Sequence, residues 1–344
     1  LTKILFFRIG AIGDVILTTA AVKKTRELFP DAVIHYLAGR AAAPVLLNNP
    51  HVDKVFVLPE ENSRAPKFLR PLLMKKFFKQ NFRSTAYDYF IDFESSYYSA
   101  YFSFMIKAKT KIGHRIKDKR RQLYNKLYNI RVNYTDGDWY VIKRHMALIK
   151  PLGSFDQTDN RTYLNLTQDE KEYGKKYLEA NNIGQKDKKI MLCVASKWEI
   201  KRWPDGHWKN LVKLIRKNYP EAKMIILKSP DDRPELLKEL EELGNVCVIP
   251  GEGLRALAAI LSYGDFLISN DGAVRHMAVA LGVKTIGIFG PSNEKGWAFA
   301  DENNIVLAPS IDCRPCHEPE CEKGGCMQYI TPDMVFEKVK AWMK

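Results

Sequence analysis

The sequence predicts an α/β protein built from two doubly wound, Rossmann-like domains. Three observations carry that expectation. Apolar runs of strand length alternate with amphipathic stretches at short spacing, the pattern of a parallel sheet covered by helices. The pattern breaks at PLGSFDQTDN, which begins at Pro151 and is crowded with turn formers. It then starts again, so one domain is expected over 1–160 and a second over 161–344. A chain of 344 residues is long enough for two such cores.

In the first half, KILFFRI reads as a buried opening strand. GAIGDVILTTAAVKKTRELFP follows as a glycine turn running into a helix that Pro30 closes, with Ile12, Val15, Ile16, Ala20 and Val22 on its buried side. Asp14 therefore falls at the helix N-terminus, directly after the strand's carboxyl end. Gly10 and Gly13 do not complete the G-x-G-x-x-G fingerprint, which argues against a dinucleotide-dependent oxidoreductase. Further strands are expected at 32–37, 54–58 and 87–93, with a short helix after the first of these. Two basic tracts interrupt the order. Residues 64–83 set Arg64, Lys67, Arg70, Lys75, Lys76, Lys79 and Arg83 among Phe68, Leu72, Leu73, Phe77 and Phe78. Residues 107–131 carry Arg115, Lys117, Lys119, Arg120 and Arg121. The first tract suits either a solvated helix or contact with an anionic membrane surface.

The second half restarts with a helix at about 167–181 and a strand, KIMLCVAS, that ends at Ser196. Lys201 lies in the loop beyond it, and Pro204 begins the next helix. Strands at 223–228 and 246–249 and helices at 234–243 and 254–261 lead to GDFLISNDGAVRHMAVALGVKTIGIFGPS, which begins at Gly264. This stretch reads as strand, tight turn, helix and strand. Asp271 stands where a capping acceptor belongs, and Gly272 with Ala273 leaves little side chain over the first amides of the helix. A helix N-terminus at the carboxyl end of a parallel strand suits an anionic ligand. His276, within the first turns, can face the same opening.

The formal net charge of +14 calls for an anionic partner: nucleic acid, a membrane surface or an acidic substrate. No groove-reading motif is visible, so a nucleic-acid partner is not expected. No apolar stretch approaches the roughly 20 residues that span a bilayer, and the opening residues read as a strand rather than a signal peptide, so a cytoplasmic protein is expected.

The strings ISNDGAVRH, ALG and IFGPS resemble the C-terminal motif of glycosyltransferase family nine, the heptosyltransferases. RIGAIGDVILTTAAVKKTRELFP resembles the family's N-terminal motif, and Ser196, then Lys201 ahead of Trp203 and Pro204, resembles a third. The string differs from the family's at two places, Gly272 where Thr is usual and Ala273 where Gly is usual. The resemblance implies a GT-B architecture, two Rossmann-like domains facing across a cleft, and an inverting transfer from a nucleotide sugar without a catalytic metal or other cofactor. It makes Asp14 the catalytic base and puts Ser196, Lys201, Asp271, Gly272, Ala273 and His276 on the donor side. Gly13, Arg64 and Lys67 are then expected on the acceptor side. The implied donor is ADP-heptose, the acceptor a phosphorylated lipopolysaccharide inner core, and the working place the cytoplasmic face of the inner membrane.

Six cysteines complete the picture. Cys193 and Cys247 lie in apolar strand-like runs and read as inert core residues. Cys313, Cys316, Cys321 and Cys326 form C-x2-C-x4-C-x4-C with His317 inside it. That spacing leaves a structural zinc site, two disulfides and free thiols all open.

Overall fold

The computed structural model describes residues 1–59, 69–116, 122–133, 140–249, 253–316, 318, 321 and 325–343. The chain forms two compact units, Leu1–Asn165 and Leu166–Lys344. The boundary falls a few residues beyond the one expected from turn formers, because the end of the linker is bonded to the first unit. The amide of Tyr163 donates to Thr19 Oγ1 at 2.8 Å, and Asn165 Nδ2 donates to the carbonyl of Asn48 at 2.8 Å.

The first unit holds six strands: β1 (Lys3–Arg8), β2 (Val33–Gly39), β3 (Lys54–Leu58), β4 (Tyr87–Asp92), β5 (Ala108–His114) and β6 (Ile130–Val132). They pair in parallel in the order β3-β2-β1-β4-β5-β6. The second unit holds β7 (Lys189–Cys193), β8 (Lys223–Leu227), β9 (Val246–Ile249), β10 (Phe266–Asn270), β11 (Lys284–Ile288) and β12 (Asn304–Leu307). Their order, β12-β11-β10-β7-β8-β9, is the same one read from the other edge. In each unit the chain builds outward from its first strand, then returns to lay its fourth strand on the first strand's other side. The crevice beyond the carboxyl ends of those two strands is the switch point where open α/β sheets bind ligands.

Helix α1 (Ile12–Leu28) follows β1 and buries most of its circumference. Besides the expected Val15, Ile16, Ala20 and Val22 it buries Leu17, Thr18, Thr19 and Thr25; Ile12 is half-buried. The reason is packing on two sides, against the sheet and against a helix outside it (Val141–Ile149). Thr18 Oγ1 meets Tyr36 OH at 2.7 Å, so the polar atoms on the inner face are bonded. α2 (Arg70–Asn81) occupies part of the first basic tract, burying Met74 and Phe77 while Lys75, Lys76 and Lys79 remain exposed. α3 (Tyr97–Met105) starts on a capping box of Ser96 and Ser99, and α4 is the helix Val141–Ile149.

In the second unit, α5 (Gln168–Ala180) is also started by a capping box, Thr167 with Glu170. α6 (Asp205–Asn218), α7 (Pro234–Glu242), α8 (Leu254–Leu261), α9 (Ala273–Leu281), a single turn α10 (Glu294–Trp297) and α11 (Pro332–Trp342) complete the unit. Trp203, Trp208, Leu211, Ile226, Phe266 and Ile288 share its core with Val335 and Val339 of α11. Strands β5, β6 and β12 are additions to the sequence reading. β5, AKTKIGH, carries two lysines among its first residues and reads as part of a basic tract; β6 and β12 are only three and four residues long.

Candidate active site

At the switch point of the first unit, β1 ends in Arg8 and β4 in Asp92, and three charged side chains meet between them. Arg8 Nη2 reaches Asp14 Oδ2 at 2.6 Å, and Arg8 Nε stands 3.5 Å from Glu94 Oε2. Arg8 Nη1 donates to the carbonyl of Phe93 at 2.8 Å. Glu94 Oε2 also accepts the amides of Ile9 (3.1 Å) and Gly10 (3.2 Å), which open the turn into α1. Gly10 leaves room there: a Cβ would come within 3.2 Å of Asp14 Oδ2 and 3.3 Å of Arg8 Nε, so both side chains would have to give way by a few tenths of an ångström.

The turn that presents Glu94 is itself held from below. Asp92, fully buried, takes the amides of Glu94 (2.7 Å) and Ser95 (3.1 Å) on Oδ1 and the hydroxyl of Tyr128 (2.5 Å) on Oδ2. Ser95 has a φ of +52°, a left-handed conformation that a non-glycine residue adopts only when its surroundings impose it. Burial pushes the Glu94 carboxyl up from the ordinary glutamate value, with Arg8 pulling it back. Burial also keeps two nearby imidazoles neutral: His114 is pushed down to about 4 and His145 to about 3. Neither histidine is a proton acceptor for chemistry near neutral pH. Asp14, whose side chain is 22 % exposed, is the carboxylate here that solvent reaches most.

Although it falls at the helix N-terminus, Asp14 does not cap α1. The N-cap of α1 is Ala11, without a side-chain cap, and Asp14 lies in the helix's first turn with its carboxylate on Arg8. Gly13 is buried beside it in the same turn. Arg64 and Lys67, expected on the acceptor side, lie outside the described residues.

The switch point of the second unit is built differently. Asp271, one residue past β10, receives Lys201 Nζ at 2.7 Å and the hydroxyl of Ser292 at 2.6 Å, both on Oδ2. Its side chain is 8 % exposed and that of Lys201 is 28 % exposed. Burial alone pushes the Asp271 carboxyl up; Lys201, Ser292 and His276 outweigh it and hold the group below the usual aspartate range. Asp271 therefore does not cap α9, contrary to the reading from sequence. The N-cap is Gly272, and no side chain caps the first turn, which starts at Ala273. A Cβ on Gly272 would meet nothing within 4 Å, so no neighbouring atom crowds this N-cap position. His276 is buried on α9.

The loop after β7 is moored tightly. Ser196, nearly buried, accepts Arg202 Nε on its carbonyl at 2.8 Å. Lys201 ends a short 3-10 turn, and the next residues are fixed by Trp203, whose amide donates to Asn270 Oδ1 at 3.1 Å and whose indole N–H donates to the carbonyl of Ile330 at 2.7 Å. Asn270 Nδ2 in turn donates to the carbonyl of Val194 at 2.7 Å. Ser292 is held by Arg314, whose Nη2 donates to the Ser292 carbonyl at 2.9 Å and meets Glu294 Oε2 at 2.7 Å. The arrangement joins a lysine, a hydroxyl and uncapped helix amides, which together suit an anion.

Sequence reasoning missed Arg8, Glu94, Ser292 and Arg314. The signal for Glu94 was the loop DFESS after the fourth strand, which the doubly wound order brings to the same switch point as the turn after β1. Cys313, Cys316, Cys321 and Cys326 carry free thiols, with Cys326 buried. Among the described residues no three His, Cys, Asp or Glu side chains are grouped to hold a metal, and His317 lies outside them. Cys193 is buried, whereas Cys247 is only half-buried.

Residues 76–327 match the sequence model of glycosyltransferase family 9 (heptosyltransferase). The chain is 26 % identical over 312 residues to lipopolysaccharide heptosyltransferase 1 of Campylobacter coli, covering 89 % of each chain. It is 21 % identical over 363 residues to lipopolysaccharide heptosyltransferase 1 of Pseudomonas aeruginosa, covering 99 % of this chain and 98 % of the relative. Among solved structures it is similar to the Escherichia coli heptosyltransferase WaaC with ADP, with a TM-score of 0.79, 18 % identity and coverage of 99 % and 100 %. It is also similar to a glycosyltransferase family 9 protein from Veillonella parvula, with a TM-score of 0.83, 18 % identity and coverage of 99 % and 97 %.

Proposed function

Because the chain belongs to glycosyltransferase family 9, we propose that it transfers a heptose from ADP-heptose to an inner-core sugar of lipopolysaccharide, with inversion at the anomeric carbon. The observation that carries this reading is the second unit's cluster of Lys201, Asp271 and Ser292 beside the uncapped start of α9. A diphosphate there gains the ammonium as a point charge and backbone amides as donors, both aimed where charge develops as the nucleotide leaves. Ser196, Gly272, Ala273 and His276 complete the donor side, and Gly13 lies with Asp14 on the acceptor side.

Inverting transfer then needs one base. The acceptor oxygen attacks the anomeric carbon, the bond from that carbon to the phosphate oxygen breaks with its electron pair leaving on ADP, and the acceptor's proton passes to Asp14. No metal or other cofactor is required in this scheme, because Lys201 and the α9 amides supply the charge stabilisation. Gly272 stands where the family has a threonine hydroxyl, so a different nucleotide sugar serving surface-glycan synthesis is the second reading.

The test is turnover and thermal shift with a panel of nucleotide sugars. ADP-heptose is expected to give both the largest stabilisation and turnover; turnover restricted to another sugar selects the second reading. Asp14→Asn should abolish transfer while ADP still binds, and retained turnover removes Asp14 from the mechanism.

A peripheral position on an anionic bilayer at the cytoplasmic face accompanies this reading. Lys75, Lys76, Lys79 and Arg83 are exposed, beside Leu72 at 64 % exposure, and no helix among the described residues is long and apolar enough to cross a membrane. Co-sedimentation with vesicles containing anionic lipid, but not with neutral vesicles, is the expected result.

A further inference from the structure

We propose that Arg8 and Glu94 are positioning residues for transfer: Glu94 fixes Arg8 and the turn after β1, and Arg8 holds Oδ2 of Asp14, leaving Oδ1 as the oxygen that takes the acceptor's proton. The inference rests on the reading of Asp14 as the base, and it assigns roles to Arg8, the first residue of the N-terminal string, and to Glu94, which lies outside the strings that resemble the family.

Three observations carry it. First, one oxygen of Glu94 accepts two amides, Ile9 at 3.1 Å and Gly10 at 3.2 Å, and faces Arg8 Nε at an ion-pair distance of 3.5 Å. The two amides belong to the turn that delivers Asp14, so this carboxylate sets the turn's geometry and not only the arginine's. Second, the Arg8 fork is hydrogen-bonded at both ends, Nη2 to Asp14 at 2.6 Å and Nη1 to the Phe93 carbonyl at 2.8 Å, while its buried Nε makes no hydrogen bond and faces the Glu94 carboxylate at ion-pair distance, 3.5 Å. A planar fork anchored at two points fixes the direction of the Asp14 carboxylate in a way that a lysine cannot. Third, Glu94 sits next to Ser95, the left-handed residue, in a turn over-determined by buried Asp92 and Tyr128. Conformational strain retained at a switch point is more readily understood as serving a site than as serving the fold.

Arg8 faces Asp14 from β1, Glu94 from the loop after β4 and Tyr36 from β2; His114 of β5 with Arg144 and His145 of α4 stand near Arg8. Tyr36 stays protonated through burial, and the two histidines stay neutral. Arg8 and Glu94 are therefore the charged side chains that meet beside the base.

The experiment measures kcat and donor KM separately for the wild type, Arg8→Met, Arg8→Lys and Glu94→Gln, using whichever nucleotide sugar the wild type turns over. Arg8→Met should lower kcat about a hundredfold, because the base loses the group that orients it. Arg8→Lys should recover only part of kcat, and Glu94→Gln should lower kcat less than Arg8→Met. Donor KM should be unchanged throughout. A wild-type kcat in both Arg8→Met and Glu94→Gln, or losses that appear in donor KM, overturns the inference. Circular dichroism checks folding, and if Arg8→Met does not fold, Arg8→Lys and Glu94→Gln decide on the same criteria. A dead Asp14→Asn beside an unchanged kcat in these variants defeats the positioning role alone, whereas an active Asp14→Asn defeats the base beneath it.

Discussion

The two units share a strand order and a switch point, yet they hold charge in opposite ways. In the first, one cation, Arg8, lies between two carboxylates, Asp14 and Glu94. In the second, one carboxylate, Asp271, lies between a lysine and a hydroxyl at the mouth of an uncapped helix. Topology supplies the location in both cases; which side chains follow the strand ends sets the charge that gathers there.

The strongest way to break the comparison is to cross two substitutions. Asp14→Asn should lower kcat by about 10²- to 10⁴-fold with ADP affinity unchanged. Lys201→Met should weaken ADP binding by about ten- to a hundredfold, read by calorimetry, because a charge-assisted contact is lost and Asp271 is left buried without its cation. Equal effects of both variants on ADP affinity would mean that the two sites are not divided in this way.

Acid should separate the units next. His145 is held neutral, with a folded value pushed well below 6.5 to about 3. Its share of stability is fully present above 6.5 and is lost as pH falls from there toward about 3, up to about 5 kcal/mol in the limit. Asp271 is also depressed, but from 3.8, so its share is lost only below that pH. Burial lowers His207 of the second unit as well, and its partial exposure keeps its contribution small. Hydrogen exchange at pH 7, 5 and 4 should therefore show the first unit loosening first, and His145→Phe should delay it. Simultaneous loosening of both units would contradict the assignment.

A smaller effect sharpens the geometric side. A Cβ on Gly39 would run into the backbone carbonyl of Ile9, whereas one on Gly287 would meet the Arg275 side chain, with Cδ at 2.8 Å. Gly39→Ala must shift the turn that carries Asp14, so it should cost about 1–3 kcal/mol and lower kcat. Gly287→Ala should cost stability alone, as denaturant melts and turnover measured together would reveal.

The smallest effect concerns Glu94. Its folded value is raised, so its favourable share exists below the unfolded value of 4.5 and is lost as pH rises through the folded value. At neutral pH the charged group is a net cost, and Glu94→Gln should leave stability equal or higher by up to about 1 kcal/mol while activity falls. A clear loss of stability at pH 7 would make Glu94 a structural residue.

Much of this was legible in the sequence, and what was not has physical reasons. The apolar strands that build each centre, such as FLISN and KILFFR, are buried on both faces and read as continuous runs. Edge strands such as β6 and β12 are short and half-exposed, so their pattern carries little signal. Asp14, Lys201 and Asp271 were visible because each follows a strand end or belongs to a recognisable string. Their partners were not: Glu94 is 85 residues from Ile9 and Lys201 is 70 from Asp271, separations that only the sheet order closes. Asp271 was mistaken for a cap because Asp before Gly at a helix start favours that reading, and sequence does not show a lysine arriving from the neighbouring strand's loop.

The hydrogen bond from the Trp203 indole to the Ile330 carbonyl joins the loop that carries Lys201 to the residue that leads into the last helix. An early stop codon just ahead of residue 330 would therefore remove both the anchor of Trp203 and the core residues Val335 and Val339, and should loosen the Lys201 loop together with the packing of the second unit. The tail of the polypeptide is a mooring line for Lys201.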